Sequence, residues 1–190
     1  MPRKKSAAIA AAGRVIVPLL EEFYSESGFP PPLLTRIEGN ELPEPYQSLL
    51  VHQQDLTLML KKYYQQLIHL RILGERLKGD VYSREYVLLL DENERLVEFG
   101  GIKIHLSFLS NEVRRRVMKG RRPLGHILEE NKIRHRSRPG FYFHLTSGPA
   151  INRALNLVGP NLLYGRCSTL IDAKLRPLAE LFEVLEPVNR

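Results

Sequence analysis

Apolar and polar positions change period along this chain. Ile16, Leu19, Leu20 and Phe23 recur at helical spacing, which predicts a helix over residues 14–25. The stretch "FPPPLL" at 29–34 breaks it, since proline cannot continue a helix. Residues 43–52 read as helical again, and Asp55 has the side chain to cap a turn starting near Leu56. The middle then alternates with period two. Residues 64–75, 81–91 and 95–106 read as strands, with "KGD" and "DENE" as the turns of an antiparallel meander. Ser110 opens a helix that Gly120 ends, and "PLGHILEE" begins another at Pro123. Residues 132–147 return to strand, interrupted at Pro139-Gly140, and 149–156 form a short helix. Two strands joined at Asp172-Ala173-Lys174 close the pattern. Strands and helices that do not alternate regularly imply an α+β fold, a mostly antiparallel β-sheet flanked by helices. The expected organisation is an N-terminal extension over 1–40, partly helical or mobile, and one domain over 41–190.

Two charges violate the alternation. Leu178, Glu180, Phe182 and Val184 share one face of the last strand, so a carboxylate interrupts an apolar set. Arg84 shares a face with Tyr82, Tyr86, Leu88 and Leu90. Breaking a buried ion pair by removing one partner costs roughly 3–5 kcal/mol, so a buried arginine needs a partner. An Arg84–Glu180 ion pair that fixes register is one reading. A small polar site in an apolar cavity is the other, with arginine gripping a carboxylate in two-pronged fashion and glutamate meeting a hydroxyl or ether oxygen. Periodicity leaves both open.

Composition narrows the partners. The 190-residue chain carries 28 Lys+Arg against 21 Asp+Glu, a formal net charge of +7, which favours an anionic partner. The densest basic run, Arg114-Arg115-Arg116 with Lys119, Arg121 and Arg122, falls on the outer face of a short helix. No aromatic-rich RNA motif, zinc finger or helix-turn-helix accompanies it, so nucleic acid ranks last and a small acidic ligand first. Cys167 is the single cysteine, which excludes an intrachain disulfide and a cysteine zinc site and fits a reducing, cytoplasmic setting. It is expected to pack rather than react. No histidine pair has zinc-motif spacing, although His135 and His144 could approach across a bent strand; no metal is expected. No apolar run reaches membrane-spanning length. "MPRKKSAAIAAAG" reads as a mobile arm, with a signal peptide as the minor alternative.

Several short motifs carry a resemblance. "RRPLGHIL" (121–128), "LLYGRCSTL" (162–170), "RPLAELFEVLEP" (176–187), "YSREYVLL" (82–89) and "LLVHQQDLTLML" (49–60) occur in the order found in chorismate pyruvate-lyases, which the chain resembles over about residues 49–187. The resemblance implies an antiparallel sheet enclosing the ligand in an internal cavity. It also implies a cofactor-free reaction, conversion of chorismate to 4-hydroxybenzoate and pyruvate. By position it makes Arg84 the anchor of the ring carboxylate and Glu180 the catalytic group at the ring oxygen para to it. Leu56, Leu124 and Arg166 become further substrate-binding residues. Leu56 stands where the family more usually has methionine, a volume-tolerant swap. The same fold serves HutC-like transcription regulators as an effector domain that only binds. The leading expectation is a lyase acting on chorismate or a related aromatic precursor. The alternative is a non-catalytic domain for a small carboxylic acid, and the oligomeric state is left open.

Overall fold

In the computed structural model, residues 14, 15, 17–120 and 122–188 are described. Two runs of neighbouring strands build one sheet. The first is the expected meander, β3 (Ile68–Lys78), β4 (Val81–Leu90) and β5 (Leu96–His105). The second comprises β6 (His135–Thr146), β7 (Leu162–Asp172) and β8 (Pro177–Leu185). Pairing of β5 with β8 joins the runs, and β2 (Leu34–Ile37) and β1 (Arg14–Val15) extend the far side. The order is β1-β2-β6-β7-β8-β5-β4-β3, antiparallel throughout.

Helices cover both faces. On one side lie α2 (Tyr46–Leu50), α3 (Leu56–Tyr64), α4 (Asn111–Met118) and α5 (Leu124–Glu130). Their Leu50, Leu60, Val117 and Leu128 join Leu88, Ile102, Ile104 and Leu185 in a first core. On the other side, Leu19 and Leu20 of α1 (Pro18–Ser27) and Ile151 of α6 (Pro149–Leu155) join Val87, Leu89, Phe99, Phe182 and Val184 in a second. Stacking of Phe143 on Phe182, with ring centroids 5.2 Å apart, anchors this second core. Central strands buried on both faces have no solvent-facing side, which is why "VLLL" in β4 and "FEVL" in β8 do not alternate.

Several boundaries differ from expectation. The first helix begins at Pro18, because residues 14–15 pair with Leu34 and Thr35 as strand; Gly28 at φ 72° ends it. Within the expected extension, α1 and a fully buried Leu34 contribute to the second core. The expected arm over 1–13 lies outside the described residues. Tyr63 and Tyr64 end α3 rather than start a strand, since Gln65 in the left-handed conformation closes the helix. Ser110 caps α4 as expected, its hydroxyl accepting from the Val113 amide at 3.4 Å. Asp55 stands at the cap position of α3, but its carboxylate is used elsewhere. No helix among the described residues is long and apolar enough to cross a membrane.

Candidate functional site

The face of the sheet under α2–α5 carries one polar row. Cross-strand register lines up Tyr86 of β4, Gly100 of β5, Glu183 of β8, Arg166 of β7 and Tyr142 of β6. Arg84 begins the next row, followed by Ile102, Leu181 and Ser168. Above these rows lies a small cavity of about 30 Å³, open in part at its mouth. Arg84, Tyr86, Arg166 and Glu183 line its floor, while Leu56 and Leu124, the first residues of α3 and α5, line its roof.

Arg84 is the anomaly. Its side chain is buried, and its Nη2 donates to the Arg122 carbonyl at 3.2 Å. Its Nε and Nη1 have no hydrogen-bond partner, and it forms no ion pair among the described residues. Burial pushes its pKa down from the ordinary value, opposed chiefly by Tyr86 and Tyr82. Its guanidinium carbon stands 6.0 Å from the centre of the Tyr86 ring. That ring crosses β5 over Gly100, where any Cβ would strike it; glycine here makes room for an aromatic ring.

Arg166 is also fully buried, but its donors are occupied. Nε holds Glu183 Oε2 at 2.7 Å, Nη1 reaches the Leu50 carbonyl at 3.0 Å, and Nη2 reaches that of Gln54 at 3.2 Å. It therefore clamps the loop after α2 to β7. Ser168 donates to the same Glu183 oxygen at 3.2 Å. Glu98, one row beyond, is buried as well, and its Oε1 accepts from the Tyr86 hydroxyl at 3.0 Å. Burial and the neighbouring Glu183 raise its pKa well above the usual carboxylate range.

At the mouth, Asp55 Oδ2 lies 2.8 Å from His135 Nε2, and His135 Nδ1 lies 2.8 Å from the Ile133 carbonyl. Burial alone would lower the His135 pKa, but two acceptors facing both ring nitrogens raise it above the ordinary value. Gly125 of α5 leaves the space that the Asp55 carboxylate fills. His144 packs edge-on against Tyr164 instead of approaching His135. Cys167 is half-buried in the second core, and burial pushes its thiol up to about 12. No cluster of ligating side chains suited to a metal ion occurs among the described residues. The basic helix α4 is partly neutralised, with Arg116 Nη2 at 2.6 Å from Glu130.

Glu180 is where expectation and structure part. The Arg84–Glu180 pair is not formed. Glu180, Phe182 and Val184 do share a face, but it is the outer one, over the second core. At the edge of that core Glu180 stands between Lys103 and Thr169, its side chain 51% exposed and 3.1 Å from His105 Nε2. Leu178 packs in the first core instead, next to the register shift between Leu170 and Ile171. The β8 carboxylate that reaches the cavity is Glu183, in the set Ala179, Leu181, Glu183 and Leu185. Both parities of this strand are apolar, so alternation could not choose between them. Strand pairing decides it: Glu183 stands in register with Arg166 of the "GR" motif.

No family model matches the chain, and no curated protein matches it. Solved structures do. The effector domain of PhnF from Mycobacterium smegmatis aligns with a TM-score of 0.55 at 11% identity, covering 70% of this chain and 88% of that domain. The PhnF structure from the same organism gives 0.55 at 11% identity, covering 72% of this chain and 65% of that one. The chain thus spans just under two thirds of that longer protein. The likeness shows a shared α+β fold with an effector domain.

Proposed function

We propose that the cavity binds a small carboxylic acid with Arg84 as its anchor. The observation that carries this reading is the buried guanidinium with two unused donors. Leaving such groups unpaired costs about 1–3 kcal/mol each, and more for charged ones, so native proteins rarely retain them without use. A carboxylate answers both donors at once with paired charge-assisted hydrogen bonds. The apolar body of the ligand would rest on Leu70, Leu88, Ile102 and Leu181, which line the same space. An aromatic acid such as 4-hydroxybenzoate has this division into a charged end and a flat apolar body. Likeness to an effector domain supports a binding role at the level of fold.

A second reading is favoured by Glu183, a buried carboxylate facing the same cavity. It is the lyase reading with Glu183 in the role the motif resemblance gave to Glu180. The carbon–oxygen bond to the enolpyruvyl group of chorismate breaks as a ring proton leaves, and the ring gains aromaticity. The protein would hold the reactive conformation and assist proton movement.

One experiment separates the two: the purified chain with chorismate, followed for pyruvate and 4-hydroxybenzoate, beside titration with 4-hydroxybenzoate. Binding without pyruvate supports the first reading. Pyruvate formation that Glu183→Gln abolishes supports the second. Neither binding nor turnover would sink both.

A further inference from the structure

Unpaired positive charge on this molecule does not lie where the sequence draws the eye. The basic run of α4 and the residues after it is partly spent within the fold. Arg114 Nη1 lies 3.7 Å from Asp80, Arg116 Nη2 lies 2.6 Å from Glu130, and Arg122 bonds the same Glu130. The start of β6 is different. In "RHRSR" (134–138), Arg134, Arg136 and Arg138 are all exposed, and none enters an ion pair among the described residues. Asp55 is held by His135 and Asp172 by Arg176 instead. Glu129 borders a groove beside Arg134 and Arg136 without pairing with either.

Strand geometry puts these cations in line. Ser137, between two of them, turns to the cavity, so Arg136 and Arg138 point to the opposite face of the sheet. There they stand about 7 Å apart, two residues along a strand. Arg136, Arg138 and Phe141 pair with Ile171, Thr169 and Cys167, alternate residues of β7, so the register shift between Pro139 and Phe141 keeps Phe141 on the arginine face. Arg36 of β2, also exposed, lies over the Phe141 ring at 6.0 Å from its centre. The row of cations therefore ends in a guanidinium laid on an aromatic ring. The carboxylate in register beyond Thr169 is Glu180, which His105 holds at 3.1 Å.

We propose that this face of β6 binds a single strand of nucleic acid through its phosphates. Three unpaired arginines on a chain of net charge +7 are complementary to a polyanion. Cations repeated at the two-residue step of a strand suit the successive phosphates of an extended nucleic-acid strand, and Arg36 on Phe141 offers a plane on which a base can stack. A duplex fits less well, because an open sheet face presents no helix or ribbon to enter a groove. The surface and the cavity lie on opposite faces of the sheet, so the inference is independent of what the cavity binds.

The test is fluorescence anisotropy of a labelled twelve-nucleotide oligo-deoxythymidylate titrated with the full chain from 50 to 300 mM salt. Contacts from Arg36, Arg134, Arg136 and Arg138 should give a log–log salt slope of about −3. Glutamine at 134, 136 and 138 together should bring the slope about two units closer to zero and weaken binding at 50 mM salt about 100-fold. Glutamine at 114, 115 and 116 together removes the same charge from α4 and should leave most of the affinity and the slope in place. Arg138→Gln alone, at an exposed position, should change the slope by about 0.7 and serves if the triple variant does not fold. No binding by wild type at 50 mM salt would overturn the inference. So would equal losses in the two triple variants, an unchanged slope in Arg138→Gln, or tighter binding to a duplex of the same length or to phosphatidylserine vesicles than to the single strand.

Discussion

Arg166 Nε and Glu183 Oε2 meet at 2.7 Å between adjacent strands, both side chains buried on the cavity face. The same guanidinium also ties down the carbonyls of Leu50 and Gln54. Arg166 is thus a clamp, whereas Arg84 keeps two donors without a partner among the described residues, although the sequence offers both as ligand-binding arginines.

Removing the clamp should be costly. Arg166→Met leaves Glu183 as a buried charge without its cation and frees carbonyls of the loop after α2. The expected loss is about 3–5 kcal/mol in urea unfolding. Glu183→Leu in the same chain should recover a large part of it, because the stranded charge is then gone. A loss under about 1 kcal/mol for Arg166→Met would show that the pair contributes little.

Glu180→Gln should be nearly silent. The residue is half exposed and bonded to His105 on the outer face, so stability should change by less than about 1 kcal/mol. Affinity for 4-hydroxybenzoate should stay within about twofold of wild type. Glu183→Gln, which alters the cavity wall, should change that affinity clearly. The reverse ranking in one calorimetric series would restore Glu180 to the site.

His135 predicts a pH dependence of stability. Its folded pKa is raised above the unfolded value, so the protein binds the proton more tightly when folded. The stabilisation is fully present below the unfolded pKa of about 6.5 and is lost as pH rises through the folded value. Urea midpoints measured across this window should fall with rising pH in wild type. In Asp55→Asn the histidine loses its carboxylate and the fall should flatten. An unchanged slope would mean that another group titrates.

Much of the architecture was legible because local signals agreed with the final packing. The β3–β5 meander, the α4 cap at Ser110 and the closing hairpin follow from turn residues and spacing. Arg84 was legible as a misfit, and Leu56 and Leu124 through their motifs; all three line the cavity. The choice between Glu180 and Glu183 was not legible. Helices cover both faces of β8, so neither parity is marked as solvent-facing, and the face that meets the cavity is decided by pairing with β5 and β7. Glu98 was missed for a related reason. In "LVEFGG" it reads as an ordinary surface charge, and only the Tyr86 ring crossing over Gly100 gives it a buried partner.

The most direct test is calorimetric titration of 4-hydroxybenzoate into wild type and Arg84→Met. Methionine removes a buried cation with unsatisfied donors and keeps an apolar side chain, so the empty variant should be at least as stable as wild type. Wild type should bind, and the variant should lose about 10- to 150-fold in affinity, the value of charge-assisted hydrogen bonds worth about 1.5–3 kcal/mol. Equal affinity in a folded Arg84→Met, or no binding by wild type, would contradict the assignment of Arg84 as the anchor.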